Sequence, residues 1–174
     1  MGNESGKSIV ILVILTILIM IGAGIIIKHA QQMMIETKEQ DLRTNMLLMQ
    51  AEAKKGLEEV CFRTVNMNAS KEEDLKKINE IKQEFLEGTI LKDSPTEVQE
   101  ATKNVPEVTF DENCYYLDEA VLNEMGIKNI DKEDGYFIVK YDFSNANLEI
   151  INTKGIDGNY TLTQIVEAIE GEQG

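Results

Sequence analysis

The chain has 174 residues, with 31 acidic against 17 basic side chains, one histidine, two cysteines and no tryptophan. A net charge of −14 repels nucleic-acid phosphates, so nucleic-acid partners are excluded. A single histidine also excludes histidine-based catalysis and a histidine-rich metal site. The roughly 145 residues that follow the apolar start of the chain suffice for one globular domain.

The first eight residues, MGNESGKS, allow three interpretations. A phosphate-binding loop needs four residues between its first glycine and its Gly-Lys-Ser, whereas only three separate Gly2 from Gly6. N-myristoylation needs Ser or Thr at position six, where this chain has Gly6. The third interpretation is a short leader, residues 1–6, and it is the one favoured.

An uncharged stretch of nineteen residues, Ile9–Ile27, follows the leader. As a helix it would be about 29 Å long, which matches the hydrocarbon thickness of a bilayer. It is longer than the apolar part of a signal peptide and has no small-residue cleavage site after it. The sequence therefore predicts a retained transmembrane helix over 7–28.

An apolar stripe continues beyond this stretch at spacings of seven, three and four, which indicates an amphipathic extension of the same helix over 29–68. The helix is predicted to run from about Ser8 to about Asn66, and Gly56 should weaken it by about 1 kcal/mol relative to alanine. The stripe fits either the core face of a domain or an assembly face that pairs with other helices. Its members are Ile35, Leu42, Met46, Met49, Ala53, Leu57 and Val60.

Residues 69–174 show the signals of short helices and strands. Capping patterns at Ser70–Glu73, Ser94–Glu97 and Thr161–Gln164 predict three helix starts, and Asp118 is placed to cap a fourth helix. VPEVTF is interpreted as extended and CYYLD as a strand. Alternation in GYFIVKYD and NLEIINT predicts a β-hairpin with Phe143–Ala146 between its strands.

The predicted fold class is therefore α+β, with a long N-terminal helix packed against a small antiparallel sheet with short helices. The helix would be a membrane span followed by an amphipathic outer half, and the globular head would occupy 69–174.

This order of elements resembles the type IV pilin and pseudopilin superfamily. The stretch GKSIVILVILTILIMIGAGIIIKHA is similar to a prepilin junction, and QDLRTNMLLMQAEAKKGLEEV is similar to the outer half of a pilin helix. The region from Cys114 to Ile156 resembles heads of pilin-like proteins from Gram-positive bacteria. The resemblance implies a structural subunit of a pilus or a protein-secretion filament, with other pilin-like subunits, the membrane and a prepilin peptidase as partners.

On this resemblance, the leader-processing junction lies between Gly6 and Lys7. The family usually has an apolar or aromatic residue where this chain has Lys7. It usually has a glutamate at the fifth residue after the junction, where this chain has Ile11. The loss of that glutamate is a trait of some minor pseudopilins, so a minor or tip position is expected. The alternative is a single-pass anchored interaction or scaffold module that does not assemble.

The resemblance implies a cytoplasmic N-terminus and an extracytoplasmic head. Lys7 precedes the span while Lys28, Lys38 and Arg43 follow it, so the positive-inside rule mildly favours the opposite orientation. In an oxidising exterior Cys61 and Cys114 could form a disulfide that contributes about 4 kcal/mol. In the cytoplasm they would be ordinary buried thiols.

No arrangement of catalytic side chains stands out, so we expect a protein that is not an enzyme and has no cofactor. The acidic segments Asp131–Gly135 and Asp157–Asn159 could supply oxygen ligands for calcium, but neither fits an EF-hand loop. Asp, Asn and Gly are the residues that tight turns select, so both segments are interpreted as turns.

Overall fold

The computed structural model describes residues 33, 36–128, 130 and 134–171. The chain divides into two compact units, 1–41 and 42–174. In the first unit the described residues, 33 and 36–41, are helical. Within the described part of the chain, no helix has both the length and the apolar character needed to cross a membrane. The predicted leader and the predicted span, 7–28, lie outside the described residues.

The second unit contains most of a long helix, a five-stranded antiparallel sheet and several short helices, so the α+β fold class is confirmed. The helices are α1 (36–64, of which 42–64 belong to this unit), α2 (Glu72–Phe85), α3 (Thr96–Thr102), α4 (Glu119–Glu124) and α5 (Leu162–Gly171), with a 3₁₀ helix at Leu91–Asp93. The strands are β1 (Thr89–Ile90), β2 (Cys114–Leu117), β3 (Phe137–Asp142), β4 (Asn147–Ile156) and β5 (Asn159–Thr161).

The sheet is a meander in which the strands neighbour one another in chain order, β1 to β5. Its centre is the predicted hairpin, which is confirmed: β3 and β4 are joined by residues 143–146. The cross-strand pairs Phe137–Asn152, Val139–Ile150 and Tyr141–Leu148 lie on one face, as their alternation predicts. Both edge strands are short, since β1 has two residues and β5 has three.

Both faces of this sheet are covered, which the sequence analysis did not predict. One face packs on α1 in a core that includes Val139, Tyr141 and Ile150. The opposite face carries a second, smaller cluster of buried residues, supplied by the 3₁₀ helix, α3, the loop after α3 and the middle strands. This cluster consists of Leu91, Val98, Val105, Cys114, Ile138 and Ile151. VPEVTF, which is interpreted from the sequence as extended, contains a turn and pairs with no strand, and its Val105 is buried in this cluster.

Two of the four predicted caps are confirmed. The Asp118 carboxylate accepts a hydrogen bond from the Val121 amide at 3.0 Å. At α5, the Thr161 hydroxyl accepts from the Gln164 amide at 3.1 Å, and the Gln164 side chain accepts from the amide of Thr161. This reciprocal pair is a capping box.

The other two predicted caps are wrong. The serine before α2 does not cap it, because the Asp74 carboxylate instead accepts from the Asn68 amide at 3.1 Å and α2 begins at Glu72. The Ser94 hydroxyl donates to the Leu91 carbonyl at 2.7 Å, so it closes the 3₁₀ helix rather than capping α3. Neither α2, whose N-cap is Lys71, nor α3, whose N-cap is Pro95, has a side-chain hydrogen bond at its N-cap.

Gly56 is required by packing. A β-carbon at this position would lie 2.1 Å from the carbonyl oxygen of Phe85, where the end of α2 crosses α1. This contact is far shorter than any that a side-chain carbon makes, so the two backbones could not remain this close. The glycine that the sequence presents as a weak point of the helix is what allows α2 to pack on α1.

We expect Gly56→Ala to destabilise the fold by about 1–3 kcal/mol, because overpacking outweighs the roughly 1 kcal/mol gain in helix propensity. Gly171→Ala is the matched control, since a β-carbon there, at the end of α5, meets nothing within 4 Å. Thermal unfolding of the full chain in detergent micelles, followed by circular dichroism, measures both. A stabilised Gly56→Ala variant would show that the close approach is not needed.

Candidate assembly surface on helix α1

The apolar stripe predicted from the sequence is the core face of α1. Five of its residues, Met46, Met49, Ala53, Leu57 and Val60, are 0–1% exposed and belong to the cluster under the sheet. Leu42 is partly buried against the same cluster, and Ile35 lies outside the described residues. The core interpretation is confirmed for these residues. Within a single chain the sheet already covers the five buried residues, and their predicted role as an assembly face stays a prediction.

The opposite side of α1 is exposed and carries large apolar side chains. Phe62 is 78% exposed, Val65, just after the helix, is 73% exposed, and Leu48 and Leu47 are 46% and 42% exposed. With Ala51, Lys55 and Glu58, which are also exposed, they form a surface that we call the outward face. Residues of both sides of the helix recur at spacings of three and four. The sequence analysis missed the outward face because the inward stripe is longer and more apolar.

Charged residues interrupt the outward face at its centre. The Lys55 ammonium contacts the Glu52 carboxylate at 2.7 Å, and the Arg63 guanidinium contacts Glu59 at 2.6 Å. The partners of each pair are about one helical turn apart at the surface, where such pairs contribute at most about 0.5 kcal/mol. These ion pairs contribute little to stability, but their residues determine where positive and negative charge lie along the helix.

The end of α1 is held by aromatic contacts that leave Phe62 free of the core. The Arg63 guanidinium lies 4.3 Å from the centre of the Phe85 ring, which anchors α2 beside α1. The Lys82 ammonium lies 4.0 Å from the centre of the Phe143 ring, and Phe143 stacks on Tyr141. The first contact joins the end of α1 to α2 and the second joins α2 to the turn between β3 and β4, whereas Phe62 takes part in neither and is 78% exposed.

The two cysteines do not form the predicted disulfide. Both are free thiols, and they belong to clusters on opposite faces of the sheet. The Cys61 thiol lies on the α1 side, 3.9 Å from the Phe143 carbonyl oxygen, whereas Cys114 lies 3.5 Å from the Thr109 hydroxyl on the other side. Strand alternation explains the separation, since Tyr115 faces α1 and its neighbour Cys114 must face away.

The remaining predicted sites divide between described and undescribed residues. Gly6 and Lys7 lie outside the described residues, as do positions 131–133 of the first acidic segment. The second acidic segment is a turn, as predicted: Asp157 and Gly158 have positive φ angles of 48° and 84° and join β4 to β5. Among the described residues, no group of three or more potential ligands could hold a metal ion.

One carboxyl group next to the core, that of Glu87, has a raised pKa. Partial burial, together with the nearby charges of Glu124 and Glu52, raises the pKa of Glu87. Burial also raises the pKa of Tyr141, whose ring lies in the core and which interacts with Glu87. Glu87 sits between α2 and β1, so its ionisation puts negative charge beside the packed helix end.

For the cysteines, we expect alkylation in denaturant to add two labels per chain whether or not a reductant is present. In the native protein Cys61 should react before the fully buried Cys114, and slowly, because burial raises the pKa of its thiol. Intact-mass spectrometry measures both. A requirement for reductant before any labelling would contradict the arrangement of the thiols on opposite faces.

For Glu87, the raised folded-state pKa predicts that stability falls as the pH rises through that pKa, because the folded state then ionises a disfavoured carboxyl. Glu87→Gln should therefore stabilise the protein at about pH 7, and the gain should fade as the pH approaches about 4. Glu84→Gln, which alters an exposed carboxylate on α2, is the control. Equal and pH-independent effects of the two variants would contradict the prediction.

The long helix with one face on an antiparallel sheet agrees with the head architecture expected from the sequence. No protein-family model, no curated protein and no solved structure matches the chain. What the outward face does is therefore argued below from its own residues.

Proposed function

We propose that this protein is a pilin-like structural subunit of a type IV pilus or secretion-type filament, in a minor or tip position. The observation that carries the proposal is the exposure of large apolar side chains on the outward face of α1. The sheet covers the inward face of α1 but leaves Phe62 78% and Leu48 46% exposed on the outward face. Exposed apolar residues clustered on one helix face mark a protein-interaction surface.

The apolar stretch Ile9–Ile27 supports the proposal from the sequence, since it supplies the anchor that a pilin-like subunit needs. In this proposal the N-terminus is cytoplasmic, the head is extracytoplasmic and a prepilin peptidase cleaves between Gly6 and Lys7. The subunit would then be extracted from the bilayer as its outward face packs on neighbouring helices.

A minor position follows from the charge of the membrane segment. In a bundle of pilin helices a buried carboxylate would neutralise the amine of the neighbouring chain, and an unpaired buried charge is costly. This chain has Ile11 in place of that carboxylate and adds the positive charge of Lys7. A repeating bundle of such chains would accumulate unpaired positive charge, whereas a single copy at an end would not.

The second candidate is a single-pass anchored interaction or scaffold module that does not assemble into a filament. It is favoured by the burial of Met46, Met49 and Leu57, because these residues of α1 pack in the core of their own chain and leave no inward surface for other subunits. The two candidates differ at the N-terminus, because only a processed subunit loses residues 1–6. Intact-mass measurement of the mature chain separates them: a chain that begins at Met1 or Gly2 contradicts processing.

For assembly, we expect Leu48→Asp to reduce recovery of the chain in sheared filaments or detergent-stable complexes by at least about tenfold. The reason is that a buried, unpaired carboxylate would replace an apolar contact. Phe110→Asp is the matched control, because Phe110 is also 46% exposed but lies in a loop far along the chain from α1. Quantitative mass spectrometry of the two fractions is the measurement. Equal recovery of both variants would remove the outward face from the assembly proposal.

A further inference from the structure

The exposed residues of the outward face repeat at intervals of three and four. From Leu48 the exposed positions 51, 55, 58, 62 and 65 follow at spacings of 3, 4, 3, 4 and 3. This is the heptad spacing with which two helices pack side by side, and its last position, Val65, lies in the turn just after α1. The repeat covers fewer than three heptads, so any pairing through it would be short.

The repeat is complementary to itself when one copy is reversed. With the two-fold axis midway between Lys55 and Glu58, each charged residue faces one of opposite charge on the partner helix, and each apolar residue faces another apolar residue. The central layer pairs lysine with glutamate, the next pairs the small Ala51 with the large Phe62, and the outer layer pairs Leu48 with Val65. Charge and volume are therefore matched in every layer.

Neither the aligned parallel pair nor a parallel pair shifted by one heptad gives this match. In register, Lys55 faces Lys55 and Glu58 faces Glu58, which places like charges directly opposite each other. A shift of one heptad places Leu48 against Lys55 and Ala51 against Glu58, which buries charges without partners. Of these arrangements only the antiparallel one pairs each buried charge with its opposite.

We propose that the outward face of α1 binds the same face of a second copy of this chain in antiparallel register, with Lys55 opposite Glu58. The carboxylates that flank the seam, Glu52 and Glu59, are each held by a basic residue of their own helix, at 2.7 and 2.6 Å. The Lys55 ammonium is therefore shared between Glu52 of its own helix and Glu58 of the partner helix, whereas the charge of Glu59 is compensated by Arg63.

The pair goes beyond the proposed filament function and excludes it at any one moment, because one face cannot hold two partners. A shared bilayer keeps its anchored chains parallel, whereas the pair is antiparallel. The antiparallel pair therefore covers the outward face of chains that are not part of a parallel assembly in one bilayer. A contact this short between two acidic heads is weak, and it requires physiological salt, which reduces the repulsion between the heads.

Cysteine cross-linking of the full chain in detergent micelles tests the register. In a Cys61→Ala background, one preparation carries Ala51→Cys and a second, mass-tagged preparation carries Phe62→Cys; the fully buried Cys114 is kept. On mild oxidation the mixture should give the 51–62 disulfide and neither 51–51 nor 62–62. In the antiparallel pair like positions lie eleven residues apart, about 16 Å, beyond the reach of a disulfide. Dimers of like positions, or no 51–62 product, overturn the proposal.

Charge reversal gives a second readout of the central layer. Lys55→Glu alone and Glu58→Lys alone should each reduce the 51–62 yield several-fold, because each places like charges opposite one another across the pair. The double variant Lys55→Glu/Glu58→Lys should restore the yield, since the pair is then reversed but again complementary. Circular dichroism and thermal unfolding establish that each variant keeps the parent fold. A double variant as poor as the single ones contradicts the Lys55–Glu58 contact.

Discussion

The packing of α1 on one face of the sheet is the interaction on which the rest of this head depends. Met46, Met49, Ala53, Leu57 and Val60 form one continuous buried surface with the β3–β4 hairpin. Each large side chain in this surface stabilises the fold by roughly 1.5–3 kcal/mol through burial. The short helices contribute less to the core: α2 has no fully buried residue, and α4 has only Leu122.

This packing determines which side of α1 is available to partners. A helix presents two sides, and once the sheet covers one of them, only the outward face can meet another molecule. The residues there are a mixture of apolar ends and a charged centre, unlike the uniformly apolar inward stripe. The inward face contributes stability through burial, whereas the outward face selects its partner through the order of its charges.

The sequence predicted the elements that depend on periodicity and failed where packing decides. The α1 stripe and the β3–β4 hairpin follow from regular spacing, and both are confirmed. The second cluster, which includes Leu91, Val98 and Val105, was missed because each of these segments contributes only isolated buried residues, and isolated residues give no periodic signal. For the same reason Cys114 could not be assigned to a face until the strand register was known.

Local signals gave mixed results for a related reason. The Thr161–Gln164 capping box formed as predicted, but Ser94 bonds to Leu91 because the 3₁₀ helix places that carbonyl 2.7 Å away. Gly56 shows this most clearly. Relative to alanine it lowers the stability of an isolated helix, whereas in the packed head it is the residue that lets α2 approach α1. The carbonyl of Phe85 that decides the sign comes from a segment 29 residues further along the chain.

The short edge strands of the sheet limit how this head can grow into a larger structure. With only two residues in β1 and three in β5, neither edge offers a row of free amides long enough to template an added strand. The β4–β5 pairing is also irregular between Ile151 and Ile156, which twists that edge away from a flat ladder. Strand addition is therefore disfavoured at both edges of the described sheet, which leaves contacts through exposed helix faces as a route to ordered assembly.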